Sequence, residues 1–338
     1  MSEKHTYTSR AATTDDVAQV AGLINARSQR FYGRHQVKEE SLARQWAGDL
    51  IHVSTDVRLF FDSQERLAGY ACAPDPRPPF VEITYAVAAH PERECDPALW
   101  DEMIRWCSEK DRLVISKAPQ GAAVLAGASA LAKDEARWSA YERHGFKRVR
   151  VEHRLRAELD RDIPEPQWPE GFSLPAFDIP KELEALIALD QEAFRDHWGQ
   201  IERPFEEELR GWKEWIGELG DELDPTLWFV ARSGDELAGY VVCEPEIAGD
   251  ASIGYVAGFA VRAKYRKRGL GLALLHHAFR ELKHRGRTAV ELDMDSENLT
   301  GASRVYARAG MVPIRQMLLY EKRLREGEDL TVRSLDQV

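Results

Sequence analysis

Arg266-Lys-Arg-Gly-Leu-Gly271 puts cations and glycines side by side, directly ahead of the apolar run Leu272-Ala-Leu-Leu275. Glycine allows backbone angles that a side chain forbids, so several N–H groups can converge on one point. A helix starting there adds its unpaired N-terminal amides and the positive end of its dipole, and Arg266, Lys267 and Arg268 add full charges. The chemistry implied is anion binding, of a phosphate or pyrophosphate. A second group, Glu291, Asp293 and Asp295, alternates with Leu292 and Met294, so a regular strand would place the carboxylates on one face. Glu244 ends another apolar run. Carboxylates of this kind can take up protons. His276, His277 and His284 lack acidic or cysteine partners at ligand spacing, and no metal site is evident.

The elements that must position these groups follow from periodicity. The acid-free segment 253–261 reads as a strand that delivers the chain into the basic turn, and a leucine-rich helix runs from the turn to about residue 285. Strand 289–294, helix 302–309 and strand 314–323 come next. Helices 180–193 and 205–219 and the hairpin 227–231/236–243 precede them. The N-terminal half offers the same order: helices 13–26 and 37–50, strands 58–61, 67–73 and 80–88, helix 98–110, a short strand at 113–116, helix 134–144 and strand 146–155. Residues 161–171, rich in proline, cannot continue a helix or a sheet. The expected organisation is a domain over 1–160, a linker over 161–175, a second domain over 176–325 and a tail over 326–338.

The repeat extends to residues. Leu67-Ala-Gly-Tyr70 returns as Leu237-Ala-Gly-Tyr240, Tyr85-Ala-Val87 as Phe259-Ala-Val261, and Tyr141-Glu-Arg-His-Gly145 as Tyr306-Ala-Arg-Ala-Gly310. Matches in the same order indicate tandem duplication of a whole domain. Aligned this way, Cys95 and Pro97 stand opposite Gly269 and Gly271, and Glu92, Glu94 and Asp96 stand opposite Arg266, Arg268 and Leu270. Acids repel a pyrophosphate and proline has no N–H to offer it, so the first domain is expected not to bind the anionic ligand. The formal net charge of -11 argues against nucleic acid or an anionic membrane as the main partner. Four cysteines without C-x-x-C spacing, a polar start and no bilayer-length apolar run lead to the expectation of a cytoplasmic protein.

Strand, Arg-x-x-Gly-x-Gly, helix, then strand, Asn298 and the helix Ala302-Ser-Arg-Val-Tyr306 ahead of Gly310: this succession resembles the GNAT superfamily of acyl-CoA-dependent N-acyltransferases, and its tandem arrangement is similar to the mycothiol synthase branch. The resemblance implies an α/β (α+β) fold of two tandem domains, each a mixed, mostly antiparallel sheet flanked by helices, with the second domain catalytic. It implies acetyl-CoA as donor, with one site per chain. Arg266, Lys267, Arg268, Gly269, Leu270, Gly271 and Leu272 would hold the pyrophosphate, and backbone groups of Phe259, Ala260 and Val261 the pantetheine arm. Ala302 and Tyr306 lie in the second signature; Asn298 would bond the donor or cap a helix.

The implied reaction is direct transfer of acetyl to a primary amine in a ternary complex. Tyr306 matches the position whose hydroxyl faces the CoA sulfur, and Tyr141 its counterpart in the first half, read as structural. Asp293 matches a glutamate that some members use as base through water, and Glu244 is a second candidate. His197 and Trp198 fall in a loop that in the family lines the acceptor pocket. The expected acceptor is a small-molecule amine; the alternatives are a protein or peptide amine, a mycothiol-type aminosugar conjugate, or, in another class, a CoA-sensing protein without turnover. A dinucleotide enzyme fits poorly, because Leu274 stands where a third glycine is needed.

Overall fold

A computed structural model of the chain describes residues 6–296 and 301–333. Its contacts divide into two units, Met1–Val151 with Gln316–Leu330, and Glu152–Arg315 with Thr331–Val338. The elements in chain order are β1 (Thr8–Ala11), α1 (Val17–Tyr32), α2 (Glu39–Ala47), α3 (Val53–Asp56), β2 (Val57–Phe61), β3 (Leu67–Cys72), β4 (Glu82–Ala89), α4 (Pro97–Ser108), α5 (Asp111–Lys117), β5 (Val124–Leu131), α6 (Glu135–Arg143) and β6 (Lys147–Glu158). They continue with α7 (Ile179–Phe194), α8 (Phe205–Leu219), β7 (Trp228–Ser233), β8 (Glu236–Glu244), β9 (Ile253–Val261), α9 (Leu270–His284), β10 (Ala289–Asp295), α10 (Ala302–Arg308) and β11 (Val312–Arg325).

In the first unit β1, β2, β3 and β4 pair antiparallel in sequence, β4 pairs parallel with β5, and β5 pairs antiparallel with residues 317–325 of β11. In the second unit β7, β8 and β9 pair antiparallel, β9 pairs parallel with β10, and β10 pairs antiparallel with residues 152–158 of β6. Each sheet is therefore mixed and mostly antiparallel. Its closing strand comes from a distant part of the sequence. Alternation along the strands sends successive side chains to opposite faces, and helices cover both. In the second unit Trp228, Val230 and Tyr240 meet Leu183, Leu186 and Ile187 of α7, while Phe229, Val241 and Val256 meet Leu274, Ala278 and Phe279 of α9. The first unit repeats this with α1 and α2 on one face and α4 and α6 on the other.

The repeated Leu-Ala-Gly-Tyr has a structural cause. Pairing of β2 with β3 steps from Phe60↔Gly69 to Phe61↔Leu67, and pairing of β7 with β8 from Ala231↔Gly239 to Arg232↔Leu237. Both hairpins thus carry a β-bulge at the same alanine, Ala68 or Ala238. A Cβ on Gly69 would stand 2.8 Å from the Met103 sulfur, and one on Gly239 2.8 Å from the Ala260 carbonyl oxygen. Small residues are required there.

One element departs from the sequence expectation. Residues 113–116, read as a strand, lie inside α5, and the parallel strand is β5, Val124-Leu-Ala-Gly-Ala-Ser-Ala-Leu131. A short apolar run fits a buried helix as well as a strand, whereas β5 is rich in alanine and glycine and lacks the β-branched signal. Among the described residues no helix is long and apolar enough to cross a membrane.

Candidate functional site

The parallel register between β9 and β10 runs only from Ala289↔Ile253 to Glu291↔Tyr255. Beyond it β9 stays with β8 as far as Val261↔Gly239, and β10 stays with β6 as far as Asp295↔Glu152. The two strands diverge, so their facing backbone edges are available to an extended ligand as an added strand would use them. A bulge opposite β8, between Val242↔Gly258 and Cys243↔Val256, lies where the divergence begins. The opening is a cleft of ≈ 610 Å³, lined along its walls by residues 256–261 and 292–295.

The basic turn closes the open end of this cleft. Lys267 and Gly269 take positive φ angles of 61° and 94°, and Gly269 is the N-cap of α9. Arg266, Lys267, Gly269, Leu270, Gly271 and Leu272 all line the cleft. A Cβ on Gly271 would stand 3.1 Å from the Phe259 ring, so glycine keeps the passage open. The cations divide their work. Arg266 donates to the carbonyls of Val261 (2.9 Å) and Ala193 (3.0 Å), bracing the turn against β9 and α7. Arg268 stacks on Phe172 at 4.7 Å and is not part of the lining. Lys267, together with Arg304 and Arg308 one turn apart on α10, supplies positive charge to the lining. The sequence reading did not single out the two α10 arginines. Their i,i+4 spacing was the available signal.

Tyr306 is buried on α10, with its ring 5.7 Å from that of Phe259, and Ala302 lines the cleft on the same helix. Burial pushes the Tyr306 phenol up, so it keeps its proton at neutral pH and can donate it in a hydrogen bond. Asn298 lies outside the described residues.

Glu291, Asp293 and Asp295 do share a face, opposite Arg156, Arg154 and Glu152 of β6. Glu291 is buried and paired with Arg154 at 3.3 Å and Arg156 at 3.5 Å. Asp293 lines the cleft and is gripped by both ends of the Arg154 guanidinium, at 2.5 and 2.6 Å, with Tyr255 Oη donating at 3.2 Å. The clamp commits both carboxylate oxygens of Asp293 to Arg154. Glu244 pairs in register with Tyr255 and is not in the lining. Burial, with Glu222 nearby, holds its pKa at about 7. His197 and Trp198 line the cleft. Burial and Arg266 lower the His197 pKa, so its ring is neutral, and Trp198 packs under the Arg333 guanidinium at 4.9 Å.

The corresponding place in the first unit is filled. The register of β4 with β5 ends at Tyr85↔Ala128 while both strands continue. There the buried Arg27 donates to Asp134 and to the Ala89 carbonyl (3.3 Å), lies 3.7 Å from Glu94, and stacks against Trp100 at 5.1 Å. Asp96 caps α4 and accepts from Tyr7 at 2.6 Å, and Tyr141 is wholly buried.

The family model described as acetyltransferase (GNAT) family matches residues 183–311. A mycothiol acetyltransferase of Thermobispora bispora is 34% identical over 171 residues, covering 49% of this chain and 55% of that protein. The chain spans about half the length of the curated relatives it matches. A GCN5-related N-acetyltransferase from Sphaerobacter thermophilus superposes with a TM-score of 0.76 at 28% identity, over 96% of this chain and 97% of that one. A tandem GNAT protein from the clavulanic acid biosynthesis pathway superposes at 0.71 with 15% identity, over 96% and 100%, a likeness of fold. The diverging strands, the glycine turn and the tyrosine helix all fall within the stretch that matches the acetyltransferase (GNAT) family model.

Proposed function

We propose that the second unit transfers an acetyl group from acetyl-CoA to a primary amine of a small molecule, by direct attack in a ternary complex, with one donor site per chain. The observation that carries this reading is the divergence of β9 from β10 into a cleft that ends on the glycine turn of α9. The α9 amides, Lys267, Arg304 and Arg308 suit a pyrophosphate, and the free edge of residues 256–261 suits the pantetheine amides. In the transfer the amine nitrogen attacks the thioester carbonyl carbon, the C–S bond breaks, and Tyr306 donates to the departing sulfur. The amine's proton leaves toward the edge formed by Asp293, Tyr255 and Glu244. Glu244, held near neutrality, is its terminus. Cys243 is buried and its thiol pushed up, which makes it a poor nucleophile and supports attack without an acyl-enzyme.

A second reading of the acceptor, a mycothiol-type aminosugar conjugate, is favoured by the similarity to a mycothiol acetyltransferase. Calorimetric titration with acetyl-CoA, followed by an amine-library acetylation screen with mass detection, tests both. One site and an acetylated amine are expected. Donor binding without acetylation of any amine would leave a CoA-binding protein instead.

A further inference from the structure

We infer that Glu152 determines acceptor specificity: its carboxylate receives a second cationic group of the amine substrate at the rim of the cleft. This rests on the acetyl-transfer reading above. Glu152 lies in the N-terminal half of the sequence but belongs to the second unit, where β6 places it opposite Asp295, on the face shared with Arg154 and Asp293. It lines the cleft together with Asp293, Asp295 and His197.

The charges around it are unbalanced. Arg154, the cation nearest in the strand, is committed to Asp293 and Glu291 and lies over the Tyr255 ring at 4.9 Å. His197 is neutral. Among the described residues no cation lies within ion-pair distance of Glu152. Its burial and the charges of Asp293 and Asp295 disfavour its ionised form, and Arg154 offsets them only in part. A half-buried carboxylate held against like charges gains most from a cation delivered by a ligand.

Register sets the geometry of that ligand. Glu152 stands level with Asp295, two residues along β10 from Asp293, hence about 7 Å from the edge where the reacting amine loses its proton. The acceptor class is therefore an amine with a second ammonium a few bonds away, such as a diamine or a multiply aminated sugar.

The test compares spermidine, n-butylamine and glucosamine as acceptors at saturating acetyl-CoA, with wild type, Glu152→Gln and Glu152→Asp. Wild type is expected to favour spermidine over n-butylamine in kcat/KM by about tenfold or more. Glu152→Gln should erase that preference through KM, leaving n-butylamine turnover and calorimetric acetyl-CoA binding unchanged, and Glu152→Asp should retain part of it. Acetylation of n-butylamine or glucosamine without preference for spermidine would overturn the inference and leave the transfer reading standing. A loss in kcat at constant KM would overturn it too, because the carboxylate would then act in the chemistry. If wild type acetylates none of the three but does acetylate another amine of the library, this inference alone falls; acetylation of no amine at all overturns the transfer reading and this inference with it.

Discussion

Replacing Arg27 with methionine removes the buried cation at the centre of the cluster that occupies the first unit's counterpart of the cleft. Its side chain is 5% exposed, and its partners Glu94 and Asp134 are 6% and 2% exposed. Removing one partner of a buried pair costs about 3–5 kcal/mol, because the remaining charge is left in a poor solvent. Each carboxylate here keeps another arginine, Arg30 at 2.8 Å from Glu94 and Arg137 at 3.2 Å from Asp134, which places the expected loss at the lower end. That is about 3 kcal/mol, or roughly 6–12 °C for a domain of this size. Differential scanning calorimetry should show the first unit's transition falling by this amount, while the transition raised by acetyl-CoA stays in place. Combining Arg27→Met with Glu94→Gln and Asp134→Leu should recover much of the loss, since an apolar replacement of the whole cluster needs no compensating charge. A loss below about 1 kcal/mol, or a second acetyl-CoA site in the Arg27→Met protein, would refute the reasoning.

Gly271→Val should weaken acetyl-CoA binding by about a hundredfold or more, because its Cβ would press on the Phe259 ring that borders the passage; unchanged calorimetric affinity would mean the ligand enters elsewhere. Tyr306→Phe should lower kcat by about a hundredfold with acetyl-CoA affinity preserved, and a full-rate variant would remove the tyrosine from the chemistry. Glu244 carries a pH signature: its folded value is about 7 against an ordinary 4.5. Between those values the folded protein holds a proton that the unfolded chain releases, so stability falls as pH rises through the window, and the whole cost is present above about 7. Glu244→Gln should thus stabilise by on the order of 2 kcal/mol near pH 8 and hardly at all near pH 4. Equal effects at both pH values in urea titrations would show that the carboxylate is not desolvated.

What the sequence made legible was local. The turn at Arg266 to Gly271 could be read because glycine and charge act within a few residues of themselves, and Leu-Ala-Gly-Tyr because a bulge demands small residues in a fixed order. Alternation correctly placed Glu291, Asp293 and Asp295 on one face. It could not show that Arg154 clamps Asp293, since that contact crosses from β6 to β10 and depends on register between strands over a hundred residues apart. Glu152 was hidden for the same reason. β5 was hidden by composition: its alanines and glycine give no strand signal, and only the pairing with β4 and β11 makes it one.

The two units show how one topology supports opposite charge arrangements. Parallel strands that diverge leave backbone edges unsatisfied, and the loop leading into the next helix faces the gap. In the second unit that loop carries glycines and cations, and the gap remains a lined cleft suited to an anion brought from outside. In the first, Glu94 on that loop and Asp134, the N-cap of α6, turn the same place acidic, and α1 answers with Arg27, whose guanidinium also satisfies the Ala89 carbonyl at the end of β4. Placing glycines at Cys95 and Pro97 would therefore not by itself create an anion site there. The cation and both carboxylates would have to change together, because any one of them altered alone leaves a buried charge without its partner.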